Sequence, residues 1–261
     1  MLAPMQGLTN RALRGLFVER YHPDVVFTEY FLVKAEGRSP ISRSDRQEVT
    51  AGAGGVPLVV QLIGGEPEAM LAAAGAVQKL GAAHLNINLG CPYGRMARNS
   101  AGGTLLGEPE RLATLLKLLR PAIRGSFSVK ARSGVDDPSQ LPALVDLFEE
   151  CGVDYLIVHP RTVRQLYSGL ADHRVTAEVV RRSKLPVIAN GDIFTEEDGR
   201  RALAQTGAAG LMLGRGAIAD PFLFQRLRGT YPAVSPPEQK AAEVRDYLLA
   251  LLSRYEELFC G

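Results

Sequence analysis

What this chain lacks narrows it before any motif is read. Its three cysteines, Cys91, Cys151 and Cys260, are odd in number and far apart. They imply no disulfide framework and fit a reducing, cytoplasmic setting. The sequence carries almost no net charge: 30 Lys and Arg against 28 Asp and Glu leave +2 at neutral pH. Composition alone therefore gives no ground for nucleic-acid binding, which would need local basic clustering. No apolar run is long enough to span a bilayer, and no signal peptide opens the chain. No His/Cys/Asp cluster has the spacing of a metal site. The opening Met1-Leu2-Ala3-Pro4-Met5 reads as a buried strand already in progress, so the chain is expected to start abruptly or to lack a few residues.

What is there is an ordinary globular composition, 46% hydrophobic and 22% charged over 261 residues, enough for one large domain or two small ones. Eight short apolar runs recur, at residues 2–5, 25–28, 58–62, 84–89, 127–131, 155–159, 187–190 and 210–213. Most are continuous rather than alternating, as expected of strands buried on both faces. Helical stretches with recognisable ends separate them. Thr9 is placed to cap a helix over residues 10–20, Pro67 and Pro109 open two others, and Asp137-Pro138 begins a fourth that Gly152 closes. Thr195 with Asp198 forms a capping box for a helix that Gly207 stops. Residues 34–49 are the least regular, with room for only a short helix. Eight strand–helix repeats in roughly 230 residues are the pattern of a (β/α)8 TIM barrel, which typically fills about 250. A doubly wound sheet is the alternative, but it usually carries GxGxxG after its first strand, and here QGLTN follows. The barrel is expected over residues 1–231. Residues 232–261 are expected to hold a linker and a short C-terminal helical segment, capped by Ser235 and Glu238. Its apolar stripe, Val244, Leu248, Leu251, Leu252, Tyr255, Leu258 and Phe259, packs on the barrel or begins a further helical domain.

Active sites of such barrels lie at the C-terminal ends of the strands. In order, those ends read Pro4-Met5, Glu29, Gln61, Asn88 with Cys91, Lys130 with Arg132, His159, Asn190-Gly191-Asp192 and Gly214-Arg215-Gly216. One polar strand end means little; nearly every end being polar or glycine is hard to explain as structure alone. The last two turns, ANGD and LGRG, occupy the usual phosphate position of the fold, where Arg215 adds a charge. Lys130, in SVKAR, is a buried cation that needs an anion, whether a bound group or a glutamate such as Glu29. Cys91 stands just past a strand end beside Arg95 and Arg98, whereas Cys151 and Cys260 read as packed thiols on helices.

These segments together resemble the tRNA dihydrouridine synthases. The resemblance rests on LAPMQGLTNRALR, FTEYF, VQLIG, LNINLGCP, SAGGTLL, VKARSG, VHPRT followed by QLYSGLAD, PVIANGDI and MLGRGAI. They run from residue 1 to about 224, in the family's order and spacing, and FTEYF looks closest to the bacterial C-type branch. The resemblance implies a TIM barrel with FMN at its mouth, NADPH as reductant, and a D-loop uridine of tRNA as substrate. Cys91 matches the proton donor to C5. Asn88 and Arg132 match substrate contacts, and Arg95 and Arg98 are candidate RNA contacts. Pro4, Met5, Gln61, Lys130, His159, Asn190, Gly191, Asp192, Gly214 and Arg215 match the flavin shell. The protein is expected to be a monomer without metal. Three departures stand out: Pro160 where the family has glycine, His173 where it has tryptophan, and a single C-terminal helix where it has an RNA-gripping helical bundle. Two other functions compete: a flavin barrel acting on a free pyrimidine, in the manner of dihydroorotate dehydrogenases, and a non-catalytic flavin- or RNA-binding protein.

Overall fold

The computed structural model describes residues 1–34, 39–92 and 101–259. Seven strands, β1 (Val26–Leu32), β2 (Leu58–Ile63), β3 (His84–Leu89), β4 (Ser126–Arg132), β5 (Tyr155–His159), β6 (Val187–Asn190) and β7 (Gly210–Met212), form one parallel sheet in sequence order. The first apolar run closes it. Leu2 bridges in parallel to both Val26 and Leu213, with the Leu2 N–H on Val25 O at 2.9 Å and the Ala3 N–H on Leu213 O at 2.8 Å. The fold is a (β/α)8 barrel whose eighth stave is only a bridge wide, because Pro4 has no N–H to continue the ladder.

Helices α1 (Arg11–Arg20), α2 (Arg43–Thr50), α3 (Pro67–Lys79), α4 (Pro109–Leu119), α5 (Gln140–Ala143), α6 (Val145–Glu150), α7 (His173–Arg182), α8 (Glu196–Thr206), α9 (Arg215–Ala219), α10 (Leu223–Arg228) and α11 (Pro237–Phe259) accompany the strands. The strand period of two sorts the side chains. Val60, Leu62, Leu85, Ile87, Leu89, Phe127, Val129, Leu156 and Val158 join helix residues such as Met70, Leu112, Leu115 and Phe148 in the main core. Their neighbours in sequence share the other face: Phe27, Val59, Ile157, Ile188 and Met212 with Ala3, and nearer the C-terminal ends Gln61, Asn88, Lys130 and His159. Apolar residues toward the helices and mixed residues within make the runs look continuous.

Several helix ends fall where the sequence places them. Thr195 and Asp198 make a reciprocal capping box, and Gly207 ends α8 at φ +67. Two caps differ. Asn10, not Thr9, caps α1 through Ala12 N and Leu13 N, while Thr9 turns back to accept from Met5 N at 2.8 Å. Ser235 does not cap α11; its hydroxyl donates to Glu243 Oε1 at 2.6 Å. In α11, Tyr247 is the side chain that enters the barrel-side core, with Ala250 and Leu251 packed behind it. Leu248, Leu252 and Phe259 of the expected stripe are 55%, 56% and 73% exposed. The apolar spacing of α11 is therefore real, but its barrel-facing line runs through Tyr247, Ala250 and Leu251 and shares only part of the expected stripe.

Candidate active site

At the C-terminal ends of the strands the mouth opens into a cavity of about 530 Å³, its solvent-open part included. Ala3, Pro4 and Met5 form one wall, Lys130 and His159 the middle, and Asn190, Gly191, Asp192, Gly214, Arg215 and Gly216 the far rim. Strand ends far apart in sequence thus converge, while Gln61, Asn88, Cys91 and Arg132 are not among the lining residues. Gln61 is fully buried beneath this layer.

The rim is built tightly. A Cβ on Gly216 would lie 2.0 Å from Ile193 O, and one on Gly191, at φ +123, would lie 2.9 Å from Ala171 Cβ and 3.0 Å from His159 Cδ2. Only glycine fits either place. Asn190 crosses to the last strand, its Nδ2 donating to Met212 O at 2.8 Å. His173 touches the same turn, with Nε2 3.0 Å from Gly191 O.

Charge at the mouth is mostly positive. Lys130 has no ion pair or hydrogen bond among the described residues, so the glutamate pairing considered from sequence is absent. Glu29 instead accepts from Gly7 N at 2.9 Å, and burial raises its pKa above the usual carboxylate range. Burial, then the nearby Arg132 guanidinium, brings the Lys130 ammonium down to about 8. His159 is pushed down to about 2 by burial and by Lys130, Arg132, Arg161 and Arg215 around it. It is a neutral ring at working pH, with Nε2 3.2 Å from Arg161 Nη1, so Nε2 accepts and the proton sits on Nδ1.

Arg161 went unassigned in the sequence. It is 2% exposed and clamps Asp192 with two bonds of 3.0 and 2.6 Å. Arg215 adds a third at 3.1 Å, and Ala171 N a fourth at 2.8 Å. Burial alone would raise the Asp192 pKa; the Arg161 bonds, the Ala171 N–H and both guanidinium charges together hold it below its usual range. Its pairing joins the turns after β5 and β6, and no sequence spacing reports that. Tyr167 was also missed. The Arg132 and Arg215 guanidinium carbons lie 5.4 and 4.8 Å from its ring centre.

Arg132 itself is buried and donates to three carbonyls, Gly90 O at 2.9 Å, Thr162 O at 2.8 Å and Leu166 O at 2.6 Å. It thereby ties the end of β3 to the segment after β5. Cys91, 8% exposed, packs on Ile63, and Asn88 Oδ1 accepts from both Gly90 N and Cys91 N at 2.9 Å. Arg95, Arg98 and Cys260 lie outside the described residues. Among the described residues no group of three or more His, Cys, Asp or Glu is placed to hold a metal ion, and no helix is long and apolar enough to cross a membrane.

Comparison with known proteins adds a second line. The profile of the family described as Dihydrouridine synthase (Dus) matches residues 1–259. The chain is 35% identical to a probable tRNA-dihydrouridine synthase of Rhodobacter capsulatus, covering 98% of this chain and 80% of that one. It is 33% identical to a tRNA-dihydrouridine(16) synthase of Cupriavidus necator, over 97% and 81%, and 31% identical to tRNA-dihydrouridine synthase B of Vibrio cholerae, over 99% and 80%. These two names stand at nearly equal identity and so give the chain no branch. Among solved structures, morphinone reductase in complex with tetrahydroNAD shares the fold with a TM-score of 0.59 at 13% identity, covering 92% of this chain and 89% of that one. Histamine dehydrogenase from a Rhizobium species does so at 0.69 and 14%, over 88% and 45%.

Proposed function

Because the chain belongs to the dihydrouridine synthase family, we propose that it reduces a D-loop uridine of tRNA to 5,6-dihydrouridine, with FMN as its flavin and NADPH as reductant. One juxtaposition carries this reading: a single barrel mouth holds an ammonium without an anion, a cavity rimmed by glycines, and a thiol whose backbone an asparagine grips.

The residues fit the cofactor. A desolvated lysine without a partner is unfavourable until a negative group arrives, and Lys130 faces the cavity in that state. The turns at Gly191 and Gly214–Gly216 admit no Cβ where they pack closest, leaving backbone and the Arg215 guanidinium to face a phosphate. Asp192, its carboxylate spent on Arg161 and Arg215, serves by aiming Arg215. Pro4 and Met5 wall one side, and His159 and Asn190 line the middle and rim, with Gln61 below. When bound, FMN reduced by NADPH supplies the hydride that reaches C6 of the uracil.

The chain's own groups do the rest. Asn88 spends its amide oxygen on the Gly90 and Cys91 N–H groups, so it can offer a base only N–H, which suits a uracil carbonyl. Cys91 Sγ gives a proton to C5, and the thiolate recovers one from solvent. NADPH, one proton and uridine thus become NADP⁺ and dihydrouridine. The base must leave its stack to reach the mouth, and Arg95 and Arg98 are assigned to holding the RNA around it, whereas Arg132, buried and spent on three carbonyls, acts by fixing the segments it joins. The family match across residues 1–259 favours tRNA over a free pyrimidine.

The test is mass mapping of tRNA incubated with the flavin-loaded protein and NADPH. One D-loop uridine should gain two hydrogens. A yellow, NADPH-oxidising protein that leaves every tRNA uridine unchanged while reducing a free pyrimidine would overturn the reading.

A further inference from the structure

Beneath the mouth runs a line of buried polar side chains that none of the roles above requires. Gly90 N and Cys91 N donate to Asn88 Oδ1. Asn88 Nδ2 donates to Gln61 Oε1 at 2.8 Å. Gln61 Nε2 donates to Asn86 Oδ1 at 2.8 Å, and Asn86 Nδ2 to Ser128 Oγ at 2.8 Å. The Ser128 hydroxyl ends the line on Leu85 O at 3.3 Å. Gln61, Asn86 and Ser128 are wholly buried.

Every bond in this line points the same way. Its two ends are backbone groups, which admit one role each: an N–H can only donate and a carbonyl can only accept. The N–H pair at the top forces Asn88 to turn its oxygen upward and its nitrogen toward Gln61. Gln61 must then present oxygen to Asn88 and nitrogen to Asn86, and Asn86 must present nitrogen to Ser128. At the foot Ser128 Oγ accepts from Asn86 and turns its own proton to Leu85 O or to the Tyr155 hydroxyl. No amide in the line can flip without placing two donors or two acceptors face to face in a buried site.

We infer that Asn86 and Ser128 are positioning residues for the proposed reaction, which anchor through Gln61 and Asn88 the backbone that carries Cys91. The inference rests on the Cys91 reading above, and its test is chosen so that the two can fail separately.

Two substitutions at Asn86 separate orientation from bulk. Asn86→Asp keeps an acceptor toward Gln61, and Asn86→Leu removes it at similar size. In Asn86→Leu the side-chain amide protons of Gln61 and Asn88, followed by NMR hydrogen exchange in the flavin-loaded protein, should lose protection. With tRNA transcript and NADPH, kcat should fall about tenfold or more, as for one buried hydrogen bond expressed in the transition state, while KM for tRNA stays unchanged. Asn86→Asp should restore both readouts in large part. Should Asn86→Leu fail to fold, Ser128→Ala carries the same test, with a smaller loss of protection and rate in the same direction. Unchanged amide protection together with unchanged kcat would overturn the inference, as would a change confined to KM. Full product formation by Cys91→Ala would instead remove the proton-donor reading and leave the amide measurement standing.

Discussion

Cys91 and Lys130 carry the sharpest consequences at the level of single residues. Removing the Cys91 thiol takes away a proton but none of the cavity's lining. Cys91→Ala should therefore bind FMN and oxidise NADPH as before while forming dihydrouridine about 10²-fold or more slowly, the usual scale for loss of a general acid. Lys130→Met removes the cation that an anionic cofactor would neutralise, so the purified protein should retain less flavin by absorbance; unchanged flavin content would exclude the assignment. His159 gives a pH signature. Its folded pKa, about 2, lies below the ordinary value near 6.5, so only the unfolded chain takes up its proton between the two. Its contribution is thus fully present above about pH 6.5 and is lost as pH falls, at up to about 1.4 kcal/mol per pH unit. His159→Gln should flatten urea-unfolding stability across that acidic window relative to the parent, and parallel pH curves would refute it.

Elements matter here through their ends. Each strand delivers chemistry where it stops, and the turn that follows decides how closely the main chain can approach the cavity. The two glycine turns are the clearest case. Gly216→Ala drives a methyl into Ile193 O, 2.0 Å away, and the backbone must shift. Overpacking of this kind typically costs about 1–3 kcal/mol. The variant should unfold at lower urea and bind FMN and inorganic phosphate more weakly together; loss of stability with intact phosphate binding would place the anion elsewhere. The helix caps show the limits of local reading. Thr195 and Asp198 act within one turn, so their spacing reveals them. Thr9 and Ser235 have equally good local spacing but are drawn away by Met5, four residues back, and by Glu243, eight residues on, because another nearby partner competes for one hydroxyl and cap spacing does not say which wins.

For the molecule as a whole, the attachment of α11 is the open mechanical element. Arg226, 2% exposed, pairs with Asp220 at 2.7 Å and with Glu243 of α11 at 3.1 Å, and also donates to Pro232 O and to Ser235 Oγ. Glu243 gathers Tyr231, Ser235 and Gln239 as well. Tyr247 follows one turn on, edge-to-face with Phe17 and Tyr21 of the α1 region. Arg226→Leu leaves two carboxylates short of their partner, and breaking a buried pair from one side typically costs about 3–5 kcal/mol. Stability should fall by that order in urea unfolding, with α11 amides losing hydrogen-exchange protection first. Protection lost uniformly would show that the helix and barrel unfold as one.

The sequence by itself determined the barrel, since eight buried runs alternating with capped helices leave few other arrangements. It also determined which residues stand at each strand end, because strand direction and period place them, and Pro4, Met5, Lys130, His159, Asn190 and Gly214 among them line the cavity. Only the tertiary structure decided who partners whom there. Arg161 on Asp192, Arg132 on three carbonyls, and the one-way line from Cys91 through Asn88, Gln61 and Asn86 to Ser128 all join separate strands or turns. Asn86 was visible as a polar residue on a buried strand. Its role was not, because a hydrogen bond needs two groups at the right distance, and sequence spacing sets that distance only within a single element.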